Sequence, residues 1–381
     1  MFANALTHKR ETIEKIEMIN MSILKRFYHE RNSSTSTQTT YNRSVKYYEQ
    51  LTGHTIEECL QICEQEELTN ISWRNSTTRE WILSYREWCY ENYNVSTAQL
   101  YLTAIITIYR HFEYTIPPLP YYSTKHSRRT PPINYQDLPD REILSECLQV
   151  ASPLVRSIIL FMSSSGVSRI DLLNLTINDY LEATAPYHNH QESVKYAIKD
   201  MMDTDIVPTF HLSRQKTGQH YFTFCSHEAV RSINSYLLTR TEILTKSRPL
   251  FKVNPRYINM IFERLNGYFH LGKLPNGYNR LTPHMLRRFN ATQLAAAGMS
   301  TDHINLLQGR KVSGVAHESY IKLNPERLRE EYIECLPYLV VEDINKFKTE
   351  NEQLKEENQQ YKEKEDKINS ILERLDKLEK M

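Results

Sequence analysis

The sequence predicts a mainly α-helical protein with one small antiparallel β-sheet. It comprises a helical N-terminal domain, an α+β domain and a C-terminal coiled-coil helix. Three observations predict this. Aromatic and aliphatic residues recur three and four apart between residues 41 and 112, the spacing of buried helix faces. Two strand-like runs, 205–213 and 219–224, are joined by Gln215-Lys216-Thr217-Gly218, in which Gly218 permits the unusual backbone of a hairpin turn. From Ile344 onward apolar residues return every three or four positions, which is a heptad seam.

At 381 residues, 40% hydrophobic and 24% charged, the chain is long enough for at least two cores. The expected boundaries are an extension over 1–20, a helical domain over 21–116, a Pro-rich basic linker over 117–135, the α+β domain over 136–338 and the tail over 339–381. In the helical domain Tyr41, Val45 and Tyr48 form one stripe, Trp81, Tyr85 and Trp88 a second, and Tyr101, Ile105, Ile108 and Phe112 a third. Thr77 with Glu80 and Ser96 with Gln99 have capping-box spacing and mark two helix starts. Pro117, Pro118, Pro120, Pro131 and Pro132 stiffen the linker, which also carries Lys125, Arg128 and Arg129.

The α+β domain begins with an apolar helical run over 154–161, broken by Ser163 to Gly166. Ser168 then caps a short helix containing Arg169, Asp171, Leu172 and Leu175. A cation in a first turn is unfavourable by a few tenths to about 1 kcal/mol, so Arg169 needs either Asp171 or a bound anion as partner. A His-x-x-Arg pattern occurs three times, at His126 with Arg129, His211 with Arg214, and His284 with Arg287. The first lies in the linker and the second in a strand. Only the third opens a helix, with Thr282 as N-cap and Pro283 at the first helical position. Leu286, Phe289, Leu294 and Ala297 are then buried behind the polar pair, and Gly298 ends the helix. A helix N-terminus presents free N–H groups and partial positive charge, which suits an anion.

Tyr320 lies thirty-three positions beyond Arg287, in a short segment after Gly314. Tyr332 is its nearest competitor, but it shares an apolar pattern with Ile333 and Leu336 and is expected to be packed. In the tail, Ile344, Phe347, Asn351, Leu354, Asn358, Tyr361, Ile368, Leu372 and Leu375 trace the seam, with Glu365 its weak position. Asn351 and Asn358 occupy equivalent seam positions, which favours a parallel dimer. The six cysteines, at 59, 63, 89, 147, 225 and 335, lack paired C-x-x-C spacing and are expected to be reduced thiols. No run approaches eighteen apolar residues and the N-terminus is charged from Lys9 to Lys15, so a cytoplasmic chain without membrane contact is expected.

Together these residues resemble the tyrosine recombinases of the integrase and Xer type, most closely archaeal members, over roughly residues 20–335. Gly166-Val-Ser-Arg169-Ile-Asp171-Leu-Leu-Asn-Leu175 is similar to the family's first box. His284-Met-Leu-Arg287, continuing through Thr292, Leu294 and Gly298, is similar to the second, and Leu307-Gln-Gly309-Arg310 with Tyr320 ten residues later to the third. Two positions depart from the pattern. Arg169 is one residue further from its glycine than is usual, although Asp171 keeps the customary acid spacing. Arg310 stands where most members have His or Trp.

The resemblance implies a core-binding (SAM-like) domain over 21–116 that closes on double-stranded DNA with the catalytic domain. It implies Tyr320 as nucleophile, Arg169, Arg287, His284 and Arg310 around the scissile phosphate, and Lys216 as general acid for the leaving 5′-oxygen. Lys125, Arg128, Arg129 and Arg214 are the further candidate DNA contacts.

These residue types suit that chemistry. A free tyrosine has a pKa near 10, so about one in a thousand is phenolate at neutral pH and nearby cations must favour the anion. Attack concentrates charge on the non-bridging oxygens, where guanidinium groups donate forked hydrogen bonds. The bond energy is kept in the phosphotyrosyl link, so neither a nucleotide cofactor nor a metal is implied. Net charge is only +1. Residues 341–381 hold nine basic and twelve acidic residues, leaving 38 against 34 before them, so DNA binding must rest on local placement of cations.

Three readings stay open at this point. One is a site-specific recombinase or integrase that is tetrameric on DNA, with protomers also paired through the coiled coil. Another is a type IB topoisomerase-like or resolvase enzyme that shares the boxes. The third is a catalytically degenerate DNA-binding coiled-coil protein.

Overall fold

The computed structural model describes residues 22–190, 192–202, 204–310 and 324–342. It is mostly helical, with one two-stranded antiparallel sheet among the described residues, and the chain divides into two compact units between Pro132 and Ile133. The extension, the heptad seam from Ile344 and Tyr320 lie outside the described residues.

Among the described residues the first unit has five α-helices: α1 (Ile23–Glu30), α2 (Thr35–Thr52), α3 (Ile56–Leu68), α4 (Thr77–Asn92) and α5 (Val95–His111). The aromatic stripes face one core, in which Tyr48, Tyr85, Ile105, Ile108 and Tyr109 are fully buried. Their hydroxyls are satisfied internally. Tyr48 and Tyr109 share a hydrogen bond of 3.0 Å, and Tyr85 donates to the Ser44 carbonyl at 3.0 Å. Two helix starts differ from expectation. Ser76 rather than Thr77 caps α4, accepting from the Arg79 N–H, and Asn94 rather than Ser96 caps α5, accepting from the Thr97 N–H. In each case a capping side chain just upstream was available, so the helix begins sooner. The reciprocal capping box belongs instead to Thr55 and Glu58 at α3. Residues after α5 also pack on this unit. Ile116 is buried, Arg86 donates to the Pro120 carbonyl at 2.7 Å, and Val95 donates to the Arg128 carbonyl at 2.9 Å.

The second unit is built around α7 (Pro153–Ser165), whose residues from Ser157 to Ser165 are all buried. Packed on it are α6 (Arg141–Val150), α11 (His227–Thr239) and α13 (Pro283–Ala296). The other α-helices among its described residues are α8 (Arg169–Asn174), α9 (Ile177–Thr184), α10 (Val194–Asp200), α12 (Pro255–Tyr268), α14 (Thr301–Leu307) and α15 (Pro325–Leu339). Strands β1 (Thr209–Ser213) and β2 (His220–Phe224) pair with His211 opposite Phe222. The ladder starts at Thr209 rather than 205, since Pro208 has no N–H to contribute. Before it, the Val207 carbonyl is taken by Arg329 Nε and the Tyr187 hydroxyl. All six cysteines are buried and unpaired. Among the described residues no helix is long and apolar enough to cross a membrane.

Candidate DNA-phosphate site

The site is assembled at the C-terminal end of α7. The last carbonyls of a helix have no partners within it and carry partial negative charge. Here four successive carbonyls are bonded by side chains from other elements. Asn290 Nδ2 donates to the Ser163 and Ser164 carbonyls, Tyr332 Oη to Ser164 at 3.0 Å, Thr223 Oγ1 to Ser165 at 2.8 Å, and Arg287 to Gly166 at 2.8 Å. Gly166 has a φ of +65°, and a Cβ there would collide with the side chains of Asn290 and Gln308. Only glycine therefore lets α13 and the turn after α14 approach so closely.

Thr282 caps α13 by accepting from the Met285 N–H, and Pro283 occupies its first turn, as the sequence predicts. The two residues of the His-x-x-Arg pair have different surroundings: His284 is exposed, whereas Arg287 is 4% exposed. Arg287 spends one N–H on the Gly166 carbonyl and another on the Gln308 carbonyl, at 2.5 Å. Gln308, fully buried, returns a bond to the Arg287 carbonyl and another to Asn290 Oδ1. Arg214, just beyond β1, donates to the next carbonyl, that of Gly309, at 2.6 Å. Two guanidinium groups thus hang from consecutive peptide carbonyls, and Arg310 follows directly in the chain. Gly309 is also constrained, because a Cβ there would press into the Tyr221 ring.

This grouping sets like charges side by side. Burial, reinforced by the charge of Arg310 and then Arg214, pushes Arg287 down to about 10, and Asp171 does not offset them. Burial together with Arg214 and Arg288 also lowers Arg310. His284 is held below the ordinary imidazole value by desolvation and then by Arg288, Arg287 and Arg310, so it is neutral at pH 7. Arg288 Nε donates to His284 Nε2 at 3.2 Å, which places the imidazole proton on Nδ1. His284, Arg288 and Arg310 line an open cavity of about 420 Å³ together with Asn134, Tyr135 and Thr292.

Arg169 makes a separate contact. Its guanidinium donates to the exposed Asn259 Oδ1 on α12 at 2.6 Å rather than pairing with Asp171. Asp171 turns inward, accepting from Ser168 Oγ, the Gln215 N–H and Tyr221 Oη. Positions two apart on a helix are rotated by about 200°, so Arg169 faces away from the side on which Asp171 meets the hairpin. Its extra residue of distance from Gly166 therefore has a structural consequence. Lys216 is exposed at the hairpin tip, where Thr217 and Gly218 donate backbone N–H groups to the Arg214 carbonyl. Lys125, Arg128 and Arg129 are exposed on the first unit. Tyr332 is fully buried, and its phenol lies well above the ordinary range because of burial.

Asn290, Gln308 and Tyr221 were not legible as site residues. A polar residue on the buried face of an apolar helix was the available signal for Asn290, and the glutamine ahead of the Gly-Arg pair was that for Gln308.

No protein-family model matches the chain, and no curated protein matches it. Solved structures that resemble it include recombinases and integrases of the tyrosine-recombinase family. XerA recombinase is 19% identical with a TM-score of 0.33, the match covering 82% of this chain and 95% of that one. XerH site-specific recombinase, in a post-cleavage complex with its difH substrate, is 14% identical with a TM-score of 0.49, covering 79% and 80%. The Tn1549 transposon integrase, in complex with circular intermediate DNA, is 14% identical with a TM-score of 0.46, covering 82% and 98%.

Proposed function

We propose that the protein is a site-specific DNA recombinase or integrase that cuts and rejoins strands through a 3′-phosphotyrosyl link on Tyr320. The observation that carries this reading is the concentration of cations at Arg287, Arg310, Arg214 and Arg288. Burial and the neighbouring guanidinium groups act against the charges of Arg287 and Arg310. A native fold gathers like charges in this way where a bound anion compensates them, and a phosphodiester has the required charge and acceptor geometry. The order and spacing of the three boxes supply the nucleophile and the polymer.

In this mechanism the non-bridging oxygens accept from Arg287, Arg310 and the His284 Nδ1–H, and the phenol proton passes to His284 Nε2 once Arg288 releases that nitrogen. The Tyr320 Oη–phosphorus bond forms as the bond to the 5′-oxygen breaks, and Lys216 protonates that oxygen. The 5′-hydroxyl of another strand reverses the step. Double-stranded DNA is the partner, paired protomers exchange strands in a tetramer, and the 339–381 tail links protomers.

The test is a nicked suicide duplex bearing a site selected from random-sequence DNA by the Tyr320→Phe protein. Wild type is expected to accumulate a covalent adduct on a denaturing gel, Tyr320→Phe none, and Tyr332→Phe a normal amount. A wild-type protein that binds its selected site and never forms the adduct overturns the reading.

A further inference from the structure

We infer that Arg214, rather than Arg169, is the second guanidinium that grips the scissile phosphate beside Arg287. This rests on the strand-transfer reading above and assigns one more residue to the same site.

Four observations point to it. Arg214 and Arg287 are anchored on the adjacent carbonyls of Gly309 and Gln308, so their side chains converge on one turn of backbone. Arg169 is drawn to Asn259 on another helix. The base of Arg214 is held firmly: its N–H donates to the Gln219 carbonyl at 2.8 Å, and its own carbonyl accepts from Thr217 and Gly218. The hairpin is in turn tied to α8, because Asp171 accepts from the Gln215 N–H and from Tyr221 Oη. A side chain rising from so constrained a backbone is preorganised, as a transition-state donor must be. Finally, the bond to Gly309 engages only one of the five N–H donors of a guanidinium, and its planar fork suits a bidentate grip on phosphate.

The same placement explains why the displaced arginine of the first box need not abolish activity. Arg169 occupies the helix position next to Ser168, and rotation about the helix axis takes it off the site. The hairpin supplies a replacement from the opposite side of Asp171. Arg214 is then a catalytic residue, touching the reacting phosphate, and Asp171 is a positioning residue that acts through the hairpin.

The alternative role for Arg214 is a purely structural clamp on the Gly309–Arg310 turn, and the experiment separates the two. Wild type, Arg169→Ala, Arg214→Ala and Arg214→Lys are assayed for adduct formation on the selected nicked duplex, carrying either a phosphate or a methylphosphonate at the cleavage position. The methylphosphonate lacks one charged oxygen and so needs one fewer cationic donor. The expected result is a loss of about 10²–10³-fold for Arg214→Ala on phosphate, the size typical of removing one oxyanion donor. Arg169→Ala should lose at least about tenfold less, Arg214→Lys should recover part of the rate, and the Arg214→Ala deficit should narrow on methylphosphonate. Equal losses for Arg169→Ala and Arg214→Ala overturn the inference. So does an Arg214→Ala deficit of the same size on both substrates, which a structural clamp would give. A wild-type protein that forms no adduct defeats the strand-transfer reading itself, a different outcome from either.

Discussion

Each unit of this protein buries an arginine, and the two are treated in opposite ways. Arg86 in the first unit, 7% exposed, donates to the Pro120 carbonyl and lies 4.8 Å from the centre of the Tyr122 ring, so oxygen and π-electrons surround its charge. Arg287 in the second unit, 4% exposed, also bonds carbonyls, but Arg310 and Arg214 stand beside it. The first arrangement sets a carbonyl and a ring face against the charge, although Arg86 Nε is buried without a hydrogen-bond partner among the described residues. The second sets like charges beside one another. The contrast teaches that burial of a cation does not mark a function; what marks it is burial among other cations. The tyrosines repeat the lesson. Tyr48, Tyr85 and Tyr109 close their hydroxyls upon one another and upon Ser44, and burial raises all three phenols, which makes them poor nucleophiles at any ordinary pH.

The comparison can be broken at several points. Arg287→Ala should have the largest effect, a loss of about 10²–10³ in adduct-forming rate, equivalent to about 2.7–4 kcal/mol. Arg86→Ala should leave that rate alone while lowering the melting temperature. A tenfold or smaller loss for Arg287→Ala would remove the distinction between the two arginines. Next is Gly166→Ala, which combines a left-handed backbone with a collision against Asn290 and Gln308. About 2–4 kcal/mol of stability should be lost in urea unfolding. The same change at Gly53, also left-handed but with open space around it, should cost less.

A smaller effect is expected for Tyr109→Phe, which deletes one member of the buried hydroxyl pair. It should cost about 0.5–1.5 kcal/mol of stability and none of the adduct-forming rate. The smallest effect concerns pH. The folded His284 has a pKa below its ordinary 6.5, so between those two values the unfolded chain binds more protons than the folded one. Stability from this group is therefore full above pH 6.5 and declines as pH falls toward the folded pKa. Melting curves of wild type and His284→Gln between pH 7.5 and 5.5 should show the wild-type advantage shrinking on acidification, and a growing advantage would reverse the sign assigned here.

Much of the second unit was legible because its signals are local. Thr282, Pro283 and the apolar spacing behind His284 define α13 without help from the rest of the chain, and the packing of Tyr332 follows from its place on the inner face of α15. The cap positions at α4 and α5 were misplaced by one and two residues because Ser76 and Asn94 compete successfully with Thr77 and Ser96. The partnership of Arg214 with Arg287 was hidden for a deeper reason. It exists only through the carbonyls of Gln308 and Gly309, nearly a hundred residues away from Arg214, and backbone acceptors leave no mark on residue identity. The orientation of Arg169 was equally concealed, since one residue of displacement on a helix matters only once the neighbours are in place. The attachment of residues 116–128 to the first unit has a similar origin: Pro-rich composition specifies stiffness and says nothing of the surface such a segment lies on.

The occupied end of α7 has a consequence for how the molecule breathes. Helices ordinarily fray from their last turn, where amide protons exchange with solvent long before the whole domain opens. Here Asn290, Thr223, Tyr332 and Arg287 each hold a carbonyl of that turn, and they come from α13, β2 and α15. Unwinding it means releasing three separate parts of the chain together. Deuterium uptake in residues 160–166 should therefore be among the slowest in the second unit, so that the arginine cluster persists until the unit as a whole comes apart.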